Sequence, residues 1–299
     1  MSMFPTKILF ATDGSEDSEL AATTAVSLTK VTGSELHVVH VGPAVPEHFE
    51  PTEVEPVRTT QEAQRILDEQ VKQIENLGGT VTQSHLRMGG AAEEALNLAE
   101  ELGTGLIVLG SRGRGRIRRL VMGSVSDSVV RHAHCPVMVT RWKPVVFPAK
   151  ILLATDGSEE ADLAAQSAAD LAARTGGSEL HVVHVGKELT HGGYVGVQVG
   201  PLPAGSQELL DRKARELLEA QLERMRDAAG ASEAEAHLMS GRADEEIVVL
   251  AEQMGADLVV MGSRGLGGVR RALIGSVSDS VARHAHCPVL VVRKEGSDE

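Results

Sequence analysis

Two segments of the chain combine glycines, hydroxyls and a carboxylate at spacings suited to a phosphorylated ligand. Gly110 and Gly113 follow the apolar run Leu106 to Leu109, nine further residues intervene, and Gly123-Ser124 then opens a helical stretch. Gly262, Gly265, Gly275 and Ser276 repeat that spacing after Leu258 to Met261. Glycine admits positive φ and close approach, so consecutive backbone N–H groups can converge on an anion. The Gly-Ser pair adds helix N-terminal N–H groups through Val125 and Val277, a favourable dipole, and the hydroxyls of Ser124, Ser126, Ser276 and Ser278. Glycine after a strand also makes a plain tight turn. Duplication of the whole spacing, with a basic segment inside it, favours the phosphate cradle.

Opposite this loop, Thr12-Asp13-Gly14-Ser15 and Thr155-Asp156-Gly157-Ser158 put a carboxylate at the end of a first strand, preceded by Ala11 and Ala154. An ionised Asp there can accept hydrogen bonds from ribose hydroxyls or an adenine amine, although Asp before Gly also serves as an ordinary turn or cap residue. Arg112, Arg114, Arg116, Arg118 and Arg119 crowd the first glycine loop, against Arg264, Arg270 and Arg271 in the second. Arg112 and Arg264 share one register and are candidate phosphate partners, with solvated surface charge as the alternative. The first loop is therefore expected to hold polyphosphate more tightly. Neither repeat contains GxxxxGK[ST], and the glycine segment follows a late strand, so the standard phosphate-loop and dinucleotide fingerprints both fail.

Histidine and cysteine carry weaker signals. His132-Ala-His134-Cys135 and His284-Ala-His286-Cys287 join a helix end to a strand start and lack a second ligand pair at finger-like spacing, so no metal site is assigned to them. His37 and His40, three apart on a strand, point to opposite faces and make a poor chelate. Cys135 precedes a strand-opening Pro136, which suits a buried thiol, and neither cysteine has the neighbours of a catalytic dyad. No catalytic residue is assigned.

These residues need a scaffold, and the sequence supplies it twice. KILFATDGSE (7–16) and KILLATDGSE (150–159) agree in nine of ten positions, GSELHVVHVG occurs at 33–42 and 177–186, and 123–141 matches 275–293 in 16 of 19. The period is too long for a solenoid, so these are whole domains, expected at 1–143 and 144–299 with the junction near Trp142 to Pro148. Lys7 to Thr12, Glu35 to Val41, Thr80 to Leu86, Gly105 to Leu109 and Pro136 to Thr140 read as strands. Leu67, Val71 and Ile74, then Ala91, Ala95, Leu98 and Leu102, give helical stripes. Leu210, Ala214 and Leu217, then Ile247, Leu250, Ala251 and Met254, repeat them. Ser15 is the expected N-cap of the first helix, with Gly33 just past its end. Such alternation gives a doubly wound parallel sheet, whose ligands sit outside the carboxyl ends of the strands at the switch in winding. The variable segments Pro43 to Thr60 and Lys187 to Gln207 read as surface loops that could cap a ligand or meet a partner.

Composition narrows the function. The 299 residues carry 29 Lys plus Arg against 42 Asp plus Glu, a net charge of −13 that disfavours nucleic acid and anionic lipid. Six aromatic residues leave little for base stacking. With no apolar run of membrane-spanning length, no export signal and two cysteines, a cytoplasmic location is expected.

The pattern G-x2-G-x9-G-S after a strand, with an ATDGS-type first strand and an HCPVLVV-type last strand, resembles the ATP-binding branch of the universal stress proteins over essentially the whole chain, twice. The resemblance implies two five-stranded parallel domains of strand order 3-2-1-4-5, packed as an internal pseudo-dimer through their last strands, with room for a further homodimer of chains. It implies ATP at each switch point, with Mg2+ or Mn2+ on the phosphates. Asp13 and the backbone near Val41 would hold adenine and ribose, Gly110 would lie on the ribose side, and Gly113, Gly123, Ser124 and Ser126 would hold phosphates. The matching set is Asp156, Val185, Gly262, Gly265, Gly275, Ser276 and Ser278.

The function expected is a nucleotide-dependent stress-response regulator acting on an unidentified protein partner. Rival readings are a slow ATPase or nucleotidyl-transfer enzyme and a scaffold with vestigial sites. TDGSEDS (12–18) is similar to the pyrophosphate-binding SGGxDS loop of a related enzyme class, but with one fewer glycine.

Overall fold

The computed structural model describes residues 5–44, 55–113, 122–142, 150–186, 205–230, 234–266 and 274–294. The first half runs β1 (Lys7–Thr12), α1 (Glu16–Thr32), β2 (Glu35–Gly42), α2 (Glu55–Asn76), β3 (Gln83–Met88), α3 (Ala91–Leu102), β4 (Leu106–Gly110), α4 (Ser124–His132) and β5 (Val137–Thr140). The second repeats it as β6 (Lys150–Ala154), α5 (Glu159–Thr175), β7 (Glu179–Gly186), α6 (Ser206–Ala229), β8 (Ala234–Ser240), α7 (Ala243–Met254), β9 (Leu258–Gly262), α8 (Ser276–His284) and β10 (Val289–Val292).

Local chemistry explains the boundaries. Ser15 caps α1 by accepting from Ser18 N–H, acidic Glu16, Asp17 and Glu19 occupy its first turn, and Gly33 ends it at φ 72°. Ser158 caps α5 in the same way. β3, β4 and β5 start later than their sequence suggests, β4 by one residue at Leu106. β5 and β10 begin at Val137 and Val289, because Pro136 and Pro288 have no N–H to donate to a ladder. Pro136 and Pro288 still accept through their carbonyls, from Ile107 and Val259 N–H. β3 begins at Gln83 rather than Thr80, since its pairing is set by β2, with His37 opposite Gln83.

The strands form one ten-stranded sheet in the order β3-β2-β1-β4-β5-β10-β9-β6-β7-β8. Within each half all pairs are parallel and the order is 3-2-1-4-5, as expected. β5 and β10 pair antiparallel, Val289 opposite Val139, so each covers the edge the other would expose. Alternation along β1 sends Ile8 and Phe10 to one face, against Ala21, Ala25 and Leu28 of α1 and Leu67 and Ile74 of α2. Leu9 turns to the other face with Leu98 of α3 and Val129 of α4.

Charged side chains lock the joint between halves. Arg131 donates to Asp279 at 2.7 Å, and Arg283 reciprocally donates to Asp127. Arg293, almost fully buried, donates to the carbonyls of Val130 and Ala133 across the joint, and Arg141 donates to the carbonyl of Arg283. Of the junction expected near Trp142 to Pro148, all but Trp142 lies outside the described residues.

Candidate functional site

In the first half a cavity of about 550 Å³ opens above the carboxyl ends of β1 and β4. That is the switch point, because β1 is flanked by β2 on one side and β4 on the other. Ala11, Thr12, Asp13, Val41, Gly110, Arg112, Gly113, Gly123, Ser124, Val125 and Ser126 all border it. The volume lies within the usual range for small-ligand sites. Sequence reasoning missed part of the apolar wall, formed by Val39, Ala91, Ala95, Leu109 and Met122, and it missed Ser18 on α1. Ala91 and Ala95 were visible as a helical stripe. Their small size, which leaves the slot open, was the unread signal.

Close packing accounts for Gly110 and Gly113. A β-carbon on Gly110 would sit 2.8 Å from the Asp17 backbone, so this residue lets β4 pass under α1. A β-carbon on Gly113 would lie 2.3 Å from Asp13 Oδ2. Gly123 N–H donates to the Ser111 carbonyl at 2.8 Å, closing the loop back on itself. Gly123 then stands at the N-cap of α4 with no side-chain cap bond, and the first N–H groups of α4 face the cavity end of the helix.

The hydroxyls divide their work. Ser126 is buried and its Oγ donates to the Gly110 carbonyl at 2.8 Å, and Ser278 does the same to Gly262 at 2.7 Å. In this arrangement these hydroxyls hold the loop, and the two residues' backbone N–H groups stand in the first turns of α4 and α8. Asp13 Oδ1 accepts from Ser15 N–H at 3.0 Å and from Ser18 Oγ at 2.7 Å. The carboxylate thus orders the β1–α1 turn as well as bordering the cavity.

Arg112, on the cavity wall, lies over the Trp142 ring, 5.4 Å from its centroid. It also faces Arg141, whose guanidinium is pushed down to about 10 by burial and by the charge of Arg112. Arg264 ion-pairs with Glu160 at 3.2 Å. Arg114, Arg116, Arg118, Arg119, Arg270 and Arg271 lie outside the described residues, as do most of 43–60 and 187–207.

The second switch point keeps the backbone plan but fills it from within. Glu160 Oε2 accepts from Ser263 Oγ and from Arg264 N–H, each at 2.6 Å. Asp156 accepts from Ser158 N–H at 3.0 Å and from Leu266 N–H at 2.7 Å. Two carboxylates therefore already occupy N–H groups of the second glycine loop. In the first half the shorter Asp17 stands where Glu160 does and accepts from Ser111 Oγ at 2.8 Å. The side walls differ too, with Ile247 for Ala95 and Met261 for Leu109, both buried. Ala154, Thr155 and Val185 hold the positions of Ala11, Thr12 and Val41, while Gly262, Gly265, Gly275, Ser276 and Val277 keep the loop and helix start. A β-carbon on Gly265 would come 2.2 Å from Asp156 Oδ2, matching the first half.

His40 and His184 are structural: each Nδ1 meets the carbonyl at the end of the first strand, Thr12 at 2.8 Å and Thr155 at 2.9 Å. His132 Nδ1 meets the Ser128 carbonyl at a helix end, and His134 pairs with Glu100. Cys135 and Cys287 are buried.

Fold and site together define a tandem, doubly wound α/β protein with a glycine loop at the switch point of each half and a cavity at the first. The model of the universal stress protein family matches residues 5–141 and again 149–293, and the chain belongs to that family. A universal stress protein of Mycolicibacterium smegmatis is 27% identical over 301 residues, covering 96% of each chain. One from Mycobacterium tuberculosis strain H37Rv is 35% identical over 193 residues, covering 63% of this chain. The chain aligns with 62% of that relative's length, under two thirds. The crystal structure of a universal stress protein from Archaeoglobus fulgidus DSM 4304 superposes with a TM-score of 0.67 at 25% identity, covering 97% of this chain and 99% of that one. Among the described residues no helix is long and apolar enough to cross a membrane.

Proposed function

We propose that the chain is an ATP-binding regulator of a stress response in the cytoplasm, with one nucleotide site per repeat and the first site the stronger. The observation that carries this reading is the first cavity. An apolar slot between Val39, Val41, Ala95 and Leu109 ends in the glycine loop and the α4 N-terminus. A flat, weakly polar base fits the slot, and a polyphosphate fits the array of N–H donors. Asp13 and Thr12 border the same cavity, where an ionised carboxylate could accept from ribose hydroxyls.

ATP would be held by backbone N–H groups near Gly113 and at Ser124, Val125 and Ser126. The donors there are amides and a hydroxyl, so Mg2+ or Mn2+ would be carried mainly on the phosphates themselves. Bound nucleotide would change the conformation of the site's loop or of a partner surface, and that change would be the signal a protein partner reads.

The test is to denature the purified chain and identify released nucleotide by mass spectrometry, with its ratio to protein. Adenine nucleotide at one to two equivalents supports the reading. If none is released, thermal melting with added Mg-ATP decides, because saturation at 100 times Kd adds about 2.7 kcal/mol. An unchanged melting temperature would leave a scaffold with vestigial sites.

A further inference from the structure

We propose that β7 and β8 carry a site for one divalent transition-metal ion of the Zn2+ type, ligated by His181, His237 and Glu235. The site lies at the sheet's outer edge, away from the switch-point clefts. His181 sits opposite Glu235 in the β7–β8 ladder, and His237 lies two residues further along the same strand. Residues two apart on a strand share a face, so all three side chains project to one side. Their ligand atoms lie within 4.8 Å of one another. His181 Nδ1 is 3.1 Å from His237 Nε2 and 3.7 Å from Glu235 Oε2. A tetrahedral zinc ion with bonds of roughly 2.0–2.1 Å needs ligand atoms about 3.3 Å apart. The triad therefore needs only small rotations to close on an ion.

The surroundings favour a cation. Two imidazole nitrogens 3.1 Å apart cannot both present bare lone pairs to each other, so the gap must hold a proton or a metal. The other nitrogen of His181, Nε2, is buried without a hydrogen-bond partner and has Glu179 Oε2 at 3.6 Å. A carboxylate behind the far nitrogen is the usual support for a metal-bound histidine. Glu235 is 68% exposed, which leaves an entry path and a fourth position for water.

The first half provides a built-in contrast. His37 and His85 form the equivalent pair, 3.3 Å apart, but Gln83 replaces Glu235 and Arg87 replaces Met239. An amide is a weaker ligand than a carboxylate, and the Arg87 charge opposes a second cation. Among the described residues, the ion is therefore expected in the second half and not at the equivalent pair of the first.

The experiment uses the full chain, freed of metal with chelator and without nucleotide, titrated with ZnCl2 in a calorimeter. The account expects one equivalent at this site, weakened at least tenfold by Glu235→Gln, which copies the first half, and at least tenfold by His237→Gln. Glu235 is exposed, so Glu235→Gln keeps the fold, checked by an unchanged zinc-free melt. The absorbance of Co2+ in place of Zn2+ should show a four-coordinate spectrum that Glu235→Gln alters. Zinc affinity unchanged in both variants, or no binding at micromolar protein, would overturn the proposal. Loss in His237→Gln alone would overturn Glu235 as a ligand.

Discussion

The carboxylate of Asp13 occupies the space that a β-carbon on Gly113 would need: the two would be 2.3 Å apart. The end of the first strand and the glycine loop are thus packed to contact, and any side chain at 113 requires the Asp13 carboxylate to move. Gly113→Val should push the loop from Asp13 and lower Mg-ATP affinity at the first site by at least tenfold, about 1.4 kcal/mol. Asp13 also holds Ser15 N–H and Ser18 Oγ, so displacing it should lower the melting temperature of the nucleotide-free protein modestly as well.

The two clefts differ in a way that can be exchanged. Ala95→Ile gives the first wall the side chain found at Ile247 and should narrow the slot. We expect nucleotide affinity there to fall by tenfold or more with the loop intact. In the other direction, Glu160→Asp shortens the carboxylate that takes Arg264 N–H. Calorimetric affinity at the second site should rise, and no change would show that this carboxylate does not compete with the ligand.

The joint between the halves should be most sensitive at its buried member. Arg131 and Asp279 are partly exposed, so Arg131→Ala should cost under about 1 kcal/mol. Arg293→Ala would strip the carbonyls of Val130 and Ala133 of their donor in a buried setting, at about 2–3 kcal/mol. Urea unfolding of both variants checks the order; equal losses would refute it.

A pH dependence follows from His85. Burial first, then the charges of His37 and Arg87, hold its imidazole below the ordinary value of 6.5. A histidine whose folded pKa is depressed binds its proton more readily when unfolded. Its contribution is therefore fully present above the unfolded pKa and is lost as pH falls below it. Melting temperature should drop from pH 7.5 to pH 5.5, and His85→Gln should drop less over the same interval. Parallel slopes would remove His85 from the account.

Much of this arrangement is readable in the sequence, for identifiable reasons. The Ser15 cap, the Gly33 stop and the glycine spacing from Gly110 to Gly123 are local signals, and local signals survive without a structure. The strand order and the pairing of last strands came from family resemblance rather than from the residues. Side-chain destinations were not readable. Ser126 looks like a phosphate ligand in sequence, yet its hydroxyl holds the Gly110 carbonyl. Arg264 looks free to meet an anion, yet Glu160 lies 104 residues away in sequence and against it in space. The His181–His237 pair was hidden for the same reason. Period-two alternation shows which face His37 or His181 takes, but the cross-strand neighbour depends on a register set 48 or 56 residues away.

The central claim is nucleotide binding in the cleft between Asp13 and Gly113. Its most direct test is calorimetric titration of Mg-ATP into the nucleotide-free chain and into the Gly113→Val variant. The account predicts saturable binding by the unaltered chain and loss of its tighter phase in the variant. Equal binding isotherms for the two proteins, or no heat from either, would contradict it.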